Sequence, residues 1–222
     1  INHTGQKAAG VVKGKIENRE FSQDFALGPQ QRKKIILDSG RYDALHVKNP
    51  RLWWPNNLGA PNLYSLHLEA RVNDEVSDEK TVRFGIREVS DFINENGFRG
   101  YMVNGKKVLV RGGGWADDLL LVSDERKIRA QIKYTKHMNL NAIRLEGFWG
   151  SSQRLYDLAD ENGILVMPGW SCQWEWSSYL GGPADNFGGV MTAEDMDLIS
   201  RSLNDQVIWL RNHPSIFVWV LG

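Results

Sequence analysis

From Tyr64 to Val72 the chain reads Tyr-Ser-Leu-His-Leu-Glu-Ala-Arg-Val, with an apolar or small side chain at every even position and a polar one at every odd position. Successive side chains of a strand point to opposite faces, so this stretch predicts a strand with one face on a core and the other in water. Val82, Phe84 and Ile86 repeat the pattern, with Arg83 and Arg87 turned outward. Residues 10–16, 33–37 and 44–47 predict further strands with weaker alternation. Turn-forming residues separate these runs: Gly28-Pro29, Ser39-Gly40, Asn56-Asn57 with Gly59, and Asn73-Asp74. Short strands at this spacing, without helical periodicity, predict an antiparallel β-sandwich over residues 1–92. The abrupt start fits a sandwich that lacks strands on its N-terminal side.

Beyond about residue 100 the period changes. Val108-Leu109-Val110 reads as a short strand ending in Gly112-Gly113-Gly114. Ser123 is placed to cap a helix whose first turn holds Asp124 and Glu125, the end of a helix dipole that favours acids, and whose buried stripe is Ile128, Ile132 and Thr135. Residues 142–145 predict a second strand, followed by a helix from about Ser151-Ser152 to Gly163. Residues 164–167 predict a third strand. Thr192 with Asp195 three residues later resembles a capping box for a helix that ends before Pro214, with Met196, Ile199, Leu203, Val207 and Leu210 as its apolar face. Residues 216–221 predict a fourth strand. Continuous apolar strands alternating with helices imply a parallel sheet covered by helices. An open doubly wound sheet for a dinucleotide needs GxGxxG after its first strand, which Arg111-Gly-Gly-Gly-Trp115 does not supply. Half of an eightfold barrel fits better, and in a barrel the chemistry gathers at the C-terminal strand ends.

Those ends are distinctive: RGGGWADD, RLEGFWG, MPGWSCQWEW and the terminal VLG. Aromatic faces stack on the C–H surfaces of pyranose rings, and carboxylates accept bonds from hydroxyls or an amine. Tryptophan beside glycine and carboxylate at three strand ends therefore points to a sugar site. Each residue has a plainer reading as well. Trp115 and Trp170 can be packing residues, Asp117 and Asp118 loop acids, and Arg144 with Glu146 a structural ion pair. Cys172 reads as a small buried residue and His213 as a helix-end histidine at the negative end of a dipole.

Composition excludes other classes. Lys plus Arg equals Asp plus Glu at 27 each, so no basic field exists for nucleic acid or an anionic membrane. One cysteine excludes an internal disulfide and a cysteine-based metal cage. His3, His46, His67 and His137 show no metal-ligand spacing along the chain, and no metal is expected. No run approaches the roughly 18 apolar residues of a membrane span. The first residue is Ile1 and no leader is recognisable, so the compartment is not encoded here.

Taken together, RLWWPNNLGAPNLYSLHLEA, FGIREV, NGKKVLVRGGGW, LNAIRLEGFWGSSQRLYDLADENGILVMPGW and RNHPSIFVWVLG resemble, in order, the corresponding segments of glycoside hydrolase family 2. The resemblance covers essentially the whole chain. It implies an immunoglobulin-like β-sandwich (residues 1–92) followed by the first four βα units of a TIM (β/α)8 barrel (93–222). Within the family the chain looks most like the exo-β-D-glucosaminidase branch, which removes glucosamine from chitosan chain ends with retention and without cofactor. The resemblance assigns Asp118 to the substrate's 2-amino group and Glu146 and Ser171 to further substrate contacts. It gives Trp115 and Trp170 the shaping of the subsite, and Arg144 the orientation of the nucleophile. Ser171 stands where the branch has an acid, which keeps a β-mannosidase or endo-β-mannosidase specificity in play. A further rival is a non-catalytic carbohydrate-binding or structural module using Trp53 and Trp54. In the family pattern the acid/base follows the fourth strand and the nucleophile the seventh. The expectation is therefore a fragment that holds neither catalytic carboxylate and is inactive alone, its exposed sheet edges covered by self-association or by the rest of a longer chain. An oligosaccharide is the expected partner, and family precedent favours a secreted or periplasmic protein.

Overall fold

The computed structural model of the protein describes residues 1–115, 124–145, 152–170 and 192–221. Packing divides the chain into two units. The first takes Ile1–Arg51 and Tyr64–Phe84, the second Leu52–Leu63 and Gly85–Gly222. Among the described residues no helix is long and apolar enough to cross a membrane.

The first unit is built on a four-stranded antiparallel sheet in the order β2-β1-β3-β4, with β1 Ala8–Ile16, β2 Arg19–Leu27, β3 Tyr64–Val72 and β4 Glu75–Phe84. Asn73 and Asp74 both adopt positive φ (51° and 63°), the two-residue turn that matches strand twist in a hairpin. Ile16, Phe21 and Tyr64 are its buried apolar side chains, with Tyr64 stacked on Phe84 at 5.6 Å and Phe21 against Tyr42 at 5.7 Å. The strands at 10–16 and 64–72 are where the alternation puts them, and 82–84 closes β4. Strand β2 escaped prediction because Gln23 interrupts its alternating apolar set of Phe21, Phe25 and Leu27. Residues 33–37 form no strand: they pair with none of the described strands, and Ile36 is exposed. The stretch at 44–47 gives only a single 3-10 turn, Asp43–Leu45.

In the second unit, β5 Val89–Ile93, β6 Arg99–Val103 and β7 Lys106–Val108 form an antiparallel sheet. Four parallel segments follow: β8 Gly112–Trp115, β9 Ala142–Leu145, then β10 Leu165–Met167 continued by β11 Gly169–Trp170, and β12 Val220–Leu221. Phe217 N–H donates to Val166 O at 2.9 Å and Val220 N–H to Pro168 O at 2.9 Å, so the last segment runs beside the third from residue 216 onward. The spatial order is thus the chain order, as in the first half of a barrel. Helices α1 Glu125–His137, α2 Arg154–Asn162 and α3 Ala193–Leu210 complete the unit.

The first parallel strand starts four residues later than the apolar run at 108–110, which instead closes the antiparallel sheet at Val108. A glycine opens it because β8 approaches β9 too closely there for a side chain: a Cβ on Gly112 would stand 2.1 Å from Ala142 O. The cap of α1 is Asp124, whose side chain accepts from Arg126 N; the expected cap Ser123 lies outside the described residues. Helix α2 stops at Gly163 in the left-handed conformation (φ 70°), with Ile164 N–H returning to Ala159 O. Thr192 and Asp195 make the predicted capping box. The stripe of α3 is corrected: Met196 and Val207 are exposed, and the buried positions are Gln206 and Leu210.

Two apolar clusters lie on opposite faces of the parallel strands. Ile143, Leu145 and Val166 face Ile128, Ile132, Leu155, Leu158 and Leu210 of the helices. Ala142, Leu165 and Phe217 face Trp53, Val103 and Val108, which close the opposite side of the sheet at its N-terminal end.

The root of the fourth strand is held by a buried polar node. Asp160 on α2 accepts from the His213 ring at 2.7 Å through Oδ2 and from Ser215 N–H at 2.9 Å through Oδ1. Its backbone carbonyl accepts from Trp53 Nε1 at 2.9 Å. Arg87 donates to the carbonyls of Pro214 and Ile216. His213 stands just past the end of α3, its N–H donating to Leu210 O, and its ring lies in the interior against Asp160. Trp53 is fully buried, so its ring is closed to a sugar, which removes half of the binding surface expected for a non-catalytic module. Burial raises the pKa of Asp160, with the bonds from His213 and Ser215 acting the other way. Burial lowers that of Arg87, which the charge of Asp160 partly restores.

In urea unfolding, Gly112→Ala costs roughly 1–3 kcal/mol because the added methyl forces β8 from β9, whereas Gly113→Ala, whose Cβ meets no atom within 4 Å, is close to neutral. His213→Ala costs roughly 3–5 kcal/mol at neutral pH by stripping one partner from a buried carboxylate. Because the folded carboxyl of Asp160 keeps its proton to higher pH than the unfolded one, the folded state binds more protons between the two pKa values. Its contribution to the unfolding free energy therefore falls as pH rises from about 4 through that window. Unfolding measured as a function of pH loses this downward component in Asp160→Asn, so the variant gains stability relative to the parent as pH rises through the window.

Candidate active site at the parallel strand ends

The register of the parallel strands sorts their side chains into rows. Gly112, Ala142 and Leu165 stand side by side, then Gly113, Ile143 and Val166, then Gly114, Arg144 and Met167, and last Trp115 and Leu145. Odd and even rows face opposite sides. The first row faces the apolar plug around Trp53, and the second and fourth face the helices. Arg144 thus belongs to the inner face, one layer above the plug and toward the C-terminal ends. Gly114 beside it carries no side chain, so β8 leaves open the space next to the half-buried guanidinium. An arginine here offers five fixed donors for planar recognition of a carboxylate.

Trp115 lies on the other face. It is 8% exposed and packs with Ile128, Ile132, Ile143 and Leu145 in the helix-side core. Arg144 and Trp115, expected together at a sugar site, therefore lie in successive rows and on opposite faces. Trp170 ends the third strand, with its backbone paired to Leu221 of the fourth. Asp118, Glu146 and Ser171 lie outside the described residues, as do Asp117 and Cys172. In the chain Asp118 follows the end of β8 by three residues, Glu146 follows β9 directly and Ser171 follows β11 directly. Strands β8, β9 and β11, which they follow in the chain, run parallel and so end on one side of the sheet.

Among the described residues no carboxylate ends a parallel strand; the last residues are Trp115, Leu145, Trp170 and Leu221. Sequence reasoning missed the node of Asp160, His213 and Arg87 that sets the fourth strand's starting point. A signal was present in Asp160, an acid one turn after Tyr156 on the apolar side of α2, but its partner lies 53 residues away. No local periodicity links the two.

The comparisons with known proteins agree with this architecture. A model of glycosyl hydrolases family 2 matches residues 1–87, and a model of the family's TIM barrel domain matches 98–222. The exo-β-D-glucosaminidase of Streptomyces avermitilis is 34% identical over 221 residues, covering all of this chain and 24% of that protein. The mannosylglycoprotein endo-β-mannosidase of Lilium longiflorum is 35% identical over 186 residues, covering 80% of this chain and 19% of that protein. The crystal structure of the Amycolatopsis orientalis exo-chitosanase superposes with a TM-score of 0.80 at 32% identity, over 98% of this chain and 25% of that one. The chain thus spans about a quarter of the length of the curated relatives it matches. On the two family matches and the strand order described above, the chain belongs to the glycosyl hydrolases of family 2, with an immunoglobulin-like sandwich domain followed by part of the TIM barrel.

Proposed function

We propose that the protein carrying this chain is a retaining exo-acting glycosidase that removes terminal β-linked glucosamine from chitosan-type oligosaccharides. The observation that carries this reading is likeness over the full length of the chain to enzymes named exo-β-D-glucosaminidases, at 34% and 32% identity. Retention needs two carboxylates about 5–5.5 Å apart, one as acid/base and one as nucleophile. Such a pair works only if each carboxylate is held in a fixed protonation state and direction. Arg144 is the group in this chain suited to holding one of them, because it lies on the inner face and its charge favours an ionised nucleophile over a protonated one.

Substrate recognition falls to the residues that follow the strands. Asp118 is the anion for the substrate's ammonium group, since a charge-assisted bond to a carboxylate is about twice as strong as a neutral one. Glu146, Trp170 and Ser171 are the further substrate contacts. Trp115 contributes to the subsite indirectly, because its ring is anchored in the helix-side core and so holds the end of β8 from which Asp118 departs. Ser171 offers only a hydroxyl, and the likeness to the lily endo-β-mannosidase favours a second reading, in which mannose is released.

The test is an assay of the protein carrying this chain on chitosan oligosaccharides and on β-mannosides. Release of glucosamine is expected, with kcat/KM reduced roughly 10–100-fold in Asp118→Ala by loss of the bond to the ammonium. In Arg144→Met, kcat falls while KM changes little, as for a group acting on the transition state rather than on binding. Mannose as the sole product moves the protein to the second reading. Hydrolysis of neither substrate overturns both.

A further inference from the structure

The outer face of the first unit's sheet carries a row of charges that its ladder brings into direct opposition. Glu69 on β3 stands opposite Glu79 on the edge strand β4, and His67, two residues before Glu69 and on the same face, stands opposite Thr81. Like charges directly across an antiparallel pair destabilise it. Glu69 has local compensation, since Arg71 Nη1 donates to its Oε2 at 3.1 Å and Lys13 of β1 occupies the opposing position on its other side. Glu79 forms no ion pair with another described residue. Lys15, opposite His67, is engaged by Glu20 at 2.9 Å.

The same geometry brings three metal-ligating groups together. One ligand atom each from His67, Glu69 and Glu79 can be chosen so that all lie within 4.8 Å of one another. A Zn²⁺ ion with ligands at about 2.0–2.2 Å fits that spacing after small side-chain adjustments. The second ring nitrogen of His67 is also accounted for. Nδ1 lies 3.1 Å from Thr81 Oγ1, and Nε2 lies 3.2 Å from Glu69 Oε1. When Nδ1–H donates to the threonine hydroxyl, Nε2 is unprotonated and its lone pair points at a carboxylate oxygen. In that tautomer a metal ion can join the two acceptors; in the other, Nε2–H donates to Glu69 and Nδ1 accepts from the Thr81 hydroxyl. A histidine whose remote nitrogen is held by a hydroxyl, beside two carboxylates, is the arrangement in which metal ligands are oriented by a second layer of contacts.

We propose that His67, Glu69 and Glu79 form a binding site for a borderline divalent transition-metal ion of the zinc class, with Thr81 orienting the imidazole. The ion supplies the charge that Glu79 lacks and ties edge strand β4 to β3. Mixed imidazole and carboxylate donors suit Zn²⁺, Ni²⁺ or Cu²⁺ better than Mg²⁺, which keeps its waters. The site is independent of the glycosidase reading: it lies wholly within the first unit and uses none of the strand-end residues.

The test is isothermal titration of ZnCl2 into the protein carrying this chain, after removal of metals with chelator, together with thermal unfolding with and without zinc. Saturable binding of one ion and a rise in Tm that grows with free zinc are expected. Binding is lost in His67→Ala and in Glu79→Gln, substitutions on a solvent-facing sheet that leave the circular dichroism spectrum unchanged. Thr81→Val keeps all three ligands and weakens binding by about 10-fold or more. A large excess of Mg²⁺ does not displace the zinc. No saturable binding overturns the proposal, as does zinc bound equally well by His67→Ala and Glu79→Gln. An affinity in Thr81→Val equal to that of the parent overturns the coordination through Nε2.

Discussion

A carboxylate withdrawn from water must be matched at both oxygens, and the second unit is organised around one that is. Asp160 is matched by a ring nitrogen and a backbone N–H from the segment leading into the fourth parallel strand, while its own carbonyl receives the indole N–H of Trp53. One residue thereby joins helix α2, the loop Leu52–Leu63 and the last strand. Arg87, donating to the carbonyls on either side of Ser215, satisfies backbone acceptors that the short strand leaves open. Removing any one member leaves another buried without a partner, so the node specifies a single arrangement more strongly than apolar packing alone would.

That node lies at the N-terminal ends of the strands, away from the candidate chemistry. In barrels the two ends divide the work, with stability at the bottom and catalysis at the top. The rows of this sheet follow that division. Ala142 and Leu165 meet an apolar plug on the inner side, and the next inner row already holds an arginine. Helix-side rows stay apolar throughout, ending in Trp115. Between plug and rim, the inner face changes from dry to polar within a single two-residue step.

Much of this was legible along the chain wherever one element contains its own signal. The alternation at Tyr64–Val72, the stripe Ile128, Ile132 and Thr135, the glycine at 163 and the capping box at Thr192 each satisfy a local rule, and each is found as read. What failed depended on partners. The run 33–37 has strand-like composition but no described strand to pair with. Val108 was claimed by an antiparallel hairpin, which moved the first parallel strand onto glycines that have little strand propensity of their own. On α3, Gln206 replaces Val207 in the interior, because the buried direction is set by what the helix lies against. At the candidate site the residue types were legible, yet their facing was not. Trp115 and Arg144 are separated by the parity of the ladder, which only the register of β8 against β9 decides.

The same parity explains why His67 escaped a search by spacing. A metal site built from one strand shows its ligands at fixed intervals in sequence; one built across a hairpin shows two ligands two residues apart and a third wherever the partner strand returns. Here the return is set by the Asn73-Asp74 turn and by a register shift between Ala70 and Arg71. Arg71 pairs with Val76 and Ala70 with Asp78, so Ser77 is an extra residue on β4 and decides which acid opposes Glu69. Without it Asp78 would hold that position, and Glu79 would turn with Leu68 to the other face. The bulge thus brings the longer of two neighbouring acids to the polar side, where its carboxylate has the reach to meet His67 and Glu69. A cation on that face is the compensation that the pairing calls for.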